Sequence, residues 1–234
     1  MSTVLLVRHG LTALTGPVLA GHTAGLHLDD RGRAQAAAVA ARIAAVPLAA
    51  IVTSPLERCI DTAEAIAAAQ REAGRDPAWH VEDRIVECRY GDWTGQAISA
   101  LAKDPMWKVV QQQPSAAVFP AGETLRAVQA RAVDAVRSWD TELGADAVWV
   151  ACSHGDVIKA VLADALGLHL DQFQRIVVDP CSVSVVRYTP GRPFVLRSND
   201  TGGDLSFLVP PKRTRRRRKD ADATVGGGAG AGAV

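Results

Sequence analysis

Three short stretches carry side chains that together suit chemistry on an anion. VLLVRHG (residues 4–10) runs four apolar residues into Arg8, His9 and Gly10. TSPLERCIDTAEAI (residues 53–66) offers Arg58, and CSHGDVIKAV (residues 152–161) offers His154. Two arginines and two imidazoles around one point would supply the positive charge that a transferring phosphoryl group needs, because its transition state spreads negative charge over its oxygens. Each stretch also has a plain reading: a polar loop, a surface arginine on a capped helix, a capping loop with an incidental histidine. What separates the readings is whether the fold brings the three together.

The elements that must position them are legible as a pattern. Residues 4–7, 49–52 and 147–151 are short apolar runs bounded by polar residues, as expected for strands buried on both faces of a parallel sheet. Helical periodicity covers residues 30–46, 55–73, 122–139 and 156–166, the second and third with an apolar stripe. Residues 182–188 and 194–197 read as a strand pair around the turn signal Thr-Pro-Gly-Arg-Pro. Residues 84–121 have no strong period and read as an insertion over one sheet edge, covering the site with Trp93, Trp107 and Phe119 as an apolar wall. The expectation is an α/β three-layer sandwich, a mostly parallel central sheet with helices on both faces, in a domain spanning residues 1–211. In such sheets ligands sit at the carboxyl ends of the strands, and each of the three stretches follows one.

Local details sharpen the picture. Gly10 would let backbone approach a ligand, with the following amides free to donate to it. Ser54 and Glu57 have capping-box spacing, with Pro55 at the first helical position. Ser153 and Asp156 read as caps for the helix after His154, whose N-terminus attracts anions.

Composition narrows the class. The 234 residues suffice for one generous domain, 48% apolar and rich in Ala. With no 18-residue apolar run and no secretory signal pattern, a cytoplasmic protein without a membrane span is expected. The four cysteines, Cys59, Cys88, Cys152 and Cys181, are scattered and read as small hydrophobes or free thiols. Cys181 and Arg187 have C-x5-R spacing, but the residues between alternate with valines and read as strand, not as a phosphate cradle. Cys152 beside Ser153-His154 reads as core. His22, His27, His80 and His169 have no mutual spacing that suggests a metal site.

The net charge of +1 hides a split, because the run Lys212 to Lys219 holds seven basic residues. With those seven set aside from the 26 basic residues, and Asp220 and Asp222 from the 25 acidic, the body carries about −4. An anion site in the body must therefore be local in origin. Residues 212–234 read as a disordered, solvated basic and Gly/Ala-rich tail, with contact to polyanions as the second reading. It has no aromatic residue for base stacking.

Taken in order, RHGLT, LHLDDRGRAQA, SPLERCIDTAEAI, ECRYGDWTG and CSHGDVIK resemble the histidine phosphatase superfamily, the phosphoglycerate-mutase-like proteins, over roughly residues 3–200. The resemblance implies that His9 is the nucleophile that becomes phosphohistidine, and that Arg8, Arg58 and His154 hold the phosphoryl oxygens. It implies that Glu87, four residues ahead of Gly91, is the general acid, with Glu82 and Asp83 as rivals. Glu123 reads as a helix-start or arginine-pairing residue. No metal or organic cofactor is implied; a small phosphorylated substrate is, and a homodimer is compatible.

Departures from the pattern are specific. Leu11 stands where the family often has Glu or Gln, and Thr15 where it often has an Asn that binds phosphate, so that contact passes to the Thr15 hydroxyl or is lost. The stretch at residues 21–25 lacks the family's common Asp. Mutases of the family carry a long basic and aromatic insertion after the acid, whereas residues 96–120 here hold only Lys103 and Lys108 as cations. Phosphomonoester hydrolysis is therefore the expected activity, ahead of mutase-type transfer and of a non-catalytic phospho-ligand binder.

Overall fold

The computed structural model describes residues 2–203, 205 and 209. The basic run and the rest of residues 212–234 lie outside the described residues. Six strands form one sheet: β1 (Thr3–Arg8), β2 (Ala50–Thr53), β3 (Ala78–Val81), β4 (Val148–Ser153), β5 (Val183–Tyr188) and β6 (Pro193–Asp200), in the order β3-β2-β4-β1-β5-β6. The first four in that order run parallel, and β5 and β6 are antiparallel additions. Helices α1 (Asp30–Ile43), α2 (Glu57–Glu72), α3 (Ile98–Leu101), α4 (Pro105–Gln112), α5 (Leu125–Leu143) and α6 (Gly155–Ala165) complete the chain.

The period-2 alternation of β1 sorts its side chains between two cores. Leu5 and Val7 pack with Ile51, Val150 and the apolar stripes of α1 and α2. Val4 and Leu6 pack on the other face with Trp149, Ala151 and the stripes of α5 and α6. This is the expected three-layer sandwich. Local capping sets three of the helices, with the Asp29 carboxylate accepting from Gly32 N, that of Asp104 from Met106 N and the Thr124 hydroxyl from Ala127 N.

Three expectations are corrected. Helix α2 begins at Glu57 and not at Pro55, with no side-chain cap. Ser54 is drawn to His154, and Glu57 accepts instead from Gly25 N at 3.0 Å. Ser153 and Asp156 do not cap α6 either: the Ser153 hydroxyl donates to Ile85 O, and Asp156 accepts from the Tyr90 hydroxyl. Strand β3 has no counterpart in the apolar pattern, because its side chains are largely exposed at the sheet edge.

Residues 84–121 form short helices and turns whose aromatic residues join the α5/α6 core. Trp93 and Phe119 lie edge to face at 5.4 Å, and Tyr90 meets Phe119 at 5.0 Å. Two glycines allow the segment to cross itself. A Cβ on Gly91 (φ +56°) would lie 1.9 Å from Pro120 O, and one on Gly122 would lie 2.2 Å from Arg89 O. From α5, Arg131 donates to the carbonyls of Arg84, Val86 and Glu87 and pairs with Glu123 at 2.7 Å. The ends of three neighbouring strands and this segment therefore face one space. Among the described residues no helix is long and apolar enough to cross a membrane.

Candidate active site

His9 leaves the tip of β1 with its backbone still in the ladder, donating to Ser153 O at 3.0 Å. Its ring Nδ1 lies 2.7 Å from Gly10 O, an acceptor only, so Nδ1 carries the proton. The other nitrogen, Nε2, then presents a lone pair, and Arg58 Nε donates to it at 3.2 Å. Burial first, then the charges of Arg58 and Arg8, hold this imidazole well below its ordinary pKa, against the opposing pull of the Gly10 carbonyl. His9 is a neutral nitrogen base aimed at a guanidinium.

Arg58, in the first turn of α2, is 1% exposed although charged. Its Nη2 donates to Gly21 O at 2.7 Å and approaches His154 Nδ1 at 3.3 Å, while Nη1 is buried with no partner. Arg8 donates from Nη1 to Val178 O at 2.7 Å, and its Nε is likewise buried with no partner. Two orphaned guanidinium donors beside His9 are expensive to bury unless an anion takes them.

His154 follows β4, and its ring centroid lies 5.3 Å from that of His9. It is fully buried behind Arg58 and does not line the cavity in front of His9. Because Arg58 donates toward Nδ1, Nε2 bears the proton and donates to Ser54 Oγ at 2.7 Å. Burial, followed by Arg58 and His9, keeps this ring neutral as well, its pKa held well below the ordinary value.

Glu87 faces the same cavity. One carboxyl oxygen accepts from Cys88 N at 2.8 Å. Burial and the neighbouring carboxylate of Asp156 push its pKa up to about 7, in spite of the Cys88 amide, Arg58 and Arg8. Glu82 is engaged by Arg84 and Trp139 and does not line the cavity, nor does Asp83. Glu123 pairs with Arg131, as its arginine-pairing reading anticipates.

The cavity holds about 450 Å³. Trp93, Trp107 and Phe119 line it as the sequence leads one to expect, joined by Ile98 and Val110. Thr15 is at its edge, with its hydroxyl 2.9 Å from that of Thr12 and accepting from Thr12 N at 3.0 Å. The backbone amides after β1 correct the expected amide cradle. Gly10 N donates to the Thr62 hydroxyl, Leu11 N to Gln35 and Thr12 N to Thr15. The close approach that Gly10 permits is to helix α1, where its Cβ would lie 2.7 Å from Gly32 O. Anion contact is thus not made by these three amides.

Four residues have a role in the site that the sequence reading does not give them. Asp156 and Lys159 line the cavity from successive positions of one face of α6, Tyr90 lines it and donates to Asp156, and Ser54 holds His154. The spacing of three between Asp156 and Lys159, directly after a strand-end histidine, was a usable signal. The C-x5-R stretch is strand from Val183, and Cys152 is fully buried, so both are set aside as expected. No group of three or more His, Cys, Asp or Glu among the described residues is placed to hold a metal ion.

Comparison with known proteins agrees with this geometry. The sequence model of the histidine phosphatase superfamily (branch 1) matches residues 4–201. The chain is 30% identical over 212 residues to Phosphoserine phosphatase 1 of Hydrogenobacter thermophilus, covering 86% of this chain and 93% of that one. It is 29% identical over 217 residues to the probable phosphoglycerate mutase GpmB of Cronobacter sakazakii, covering 90% and 97%. The solved structure of Bacillus stearothermophilus YhfR superposes with a TM-score of 0.77 at 28% identity, covering 86% of this chain and 98% of that one. With that coverage, and with the motif residues meeting at one sheet edge, the chain belongs to the histidine phosphatase superfamily, branch 1.

Proposed function

We propose that the protein hydrolyses a small phosphomonoester through a phosphohistidine formed at His9. The observation that carries this reading is the neutral His9 Nε2 lone pair set beside two guanidinium donors, Arg8 Nε and Arg58 Nη1, that have no protein partner. A phosphate dianion entering the cavity takes those donors and draws Arg58 Nε away from His9, which frees the lone pair for attack. His154, fixed by Ser54, holds Arg58 in register, and the Thr12–Thr15 hydroxyl pair borders the phosphate.

In the first step Nε2 bonds to phosphorus, the ester P–O bond breaks, and the Glu87 carboxyl protonates the leaving oxygen. In the second, water bonds to phosphorus, the N–P bond breaks, and the Glu87 carboxylate takes the water proton. Phosphate departs with His9 and Glu87 restored to their starting states. A carboxyl with a pKa of about 7 suits both roles near neutrality.

Hydrolysis is favoured over mutase-type transfer because a bisphosphate intermediate would need cations for its second phosphate. Lys103 and Lys108 do not line the cavity, and Lys159, its one lysine among the described residues, is shared with Asp156. The test is release of p-nitrophenol from its phosphate in the presence of a chelator. Wild type should turn over and His9→Ala should not; equal rates would remove the reading. With 3-phosphoglycerate, formation of 2-phosphoglycerate in place of free phosphate would favour the mutase. We also place the protein in the cytoplasm, where four buried free cysteines are compatible with a reducing compartment.

A further inference from the structure

We propose that Asp156 makes this cavity selective for phosphomonoesters whose leaving group is uncharged, by excluding a second anionic group from the part of the wall that it lines. The inference rests on the phosphatase reading above. Among the described residues lining the cavity the cations are Arg8, Arg58 and Lys159. Arg8 Nε and Arg58 Nη1 are the open donors, and both arginines line the same cavity as His9, where the phosphate goes. Lys159 is shared with Asp156: Nζ donates to Gln174 Oε1 at 3.1 Å, lies 3.8 Å from Asp156 Oδ1 and stands over the Phe173 ring at 5.6 Å.

Asp156 itself is anchored, accepting from the Tyr90 hydroxyl at 2.7 Å through its other oxygen. Burial and the charges of Asp156 and Glu87 keep that phenol protonated, so it remains a donor. The carboxylate is thus held at the cavity wall with its compensation already used. Trp93, Trp107, Phe119, Ile98 and Val110 give the wall an apolar stretch, beside the neutral polar side chains of Gln111 and Gln174. A carboxylate or second phosphate on the substrate would lose water against an apolar surface, beside a fixed like charge with which it would compete for Lys159. An apolar body of aromatic size meets ring faces in a 450 Å³ space.

The test uses two non-hydrolysable phosphonates on the full chain, with affinities from calorimetry at pH 7.5: phenylphosphonate, with an uncharged body, and 3-phosphonopropionate, with a second anion. Phenylphosphonate should bind at least tenfold more tightly. Asp156→Asn keeps an acceptor for Tyr90 and should narrow that ratio about tenfold, mainly by improving 3-phosphonopropionate. Lys159→Gln, which leaves Asp156 without its cation, should widen it. Equal affinities, tighter 3-phosphonopropionate, a ratio indifferent to Asp156→Asn, or no binding of either compound would overturn the inference. Phosphate release from 1-naphthyl phosphate is measured in parallel. Selective phosphonate binding without release would overturn the hydrolase reading and leave the selectivity standing.

Discussion

Glu87 must hold a proton to release the leaving group and lose it to activate water, so its acidity governs the reaction. The free enzyme should lose kcat/KM about tenfold per pH unit above roughly pH 7, as the carboxyl that burial and Asp156 keep protonated is ionised. On the acid side the profile should stay flat well below pH 6.5, because His9 resists protonation. Glu87→Gln should lower kcat by about 10²–10⁴, whereas Glu82→Gln, outside the cavity, should leave it near wild type. Asp156→Asn removes the charge that helps raise the Glu87 pKa and should move the basic limb to lower pH, which a rate profile reads directly. Ser54→Ala leaves the buried His154 Nε2–H with only the weak acceptor Cys59 Sγ at 3.4 Å, at a cost of about 1–3 kcal/mol. It should also reduce kcat, because the ring that steadies Arg58 loses its anchor.

At the scale of elements, the β1–α1 connection depends on two glycines in backbone contact. A Cβ on Gly32 would lie 1.9 Å from Leu11 O, so Gly32→Ala must displace the loop carrying Arg8-His9-Gly10. We expect a loss of about 2–3 kcal/mol in urea unfolding, together with reduced kcat/KM. The strand ends that carry His9, Arg58 and His154 were legible because a both-faces-buried strand followed by a polar tip has few other meanings in an α/β chain. Glu87 was legible only through the family motif, since nothing periodic surrounds it. The misreadings share one cause: Ser, Asp and Glu at a strand-to-helix junction look like caps, and the signal does not say whether a stronger partner is nearby. Ser54 and Asp156 each had one, in His154 and Tyr90. Strand β3 was illegible because at an exposed edge Ala-Trp-His-Val needs no apolar alternation.

The whole molecule places a hydrophobic core on each sheet face and buries two neutral histidines between them at the strand ends. Their native pKa values lie below the ordinary 6.5, so the unfolded chain binds their protons first and stability falls as pH drops below about 6.5. Glu87 acts in the opposite sense: its native pKa of about 7 exceeds the ordinary 4.5, so its contribution to stability falls as pH rises between those values. Between pH 6.5 and 5.5 the two histidines outweigh the one carboxyl. The urea midpoint should therefore fall over that interval, and Glu87→Gln should make the fall steeper. A midpoint that rises on acidification would show that the histidines are not held neutral.

The central claim is that His9 accepts the phosphoryl group through Nε2. Rapid quenching of Glu87→Gln during turnover of p-nitrophenyl phosphate, with a substrate whose good leaving group needs little protonation, should trap a base-stable, acid-labile phosphoramidate. Mass spectrometry should place it on His9, with the 31P resonance of an Nε2-substituted imidazole. Turnover with no such adduct, or phosphate found on another residue, would contradict the account.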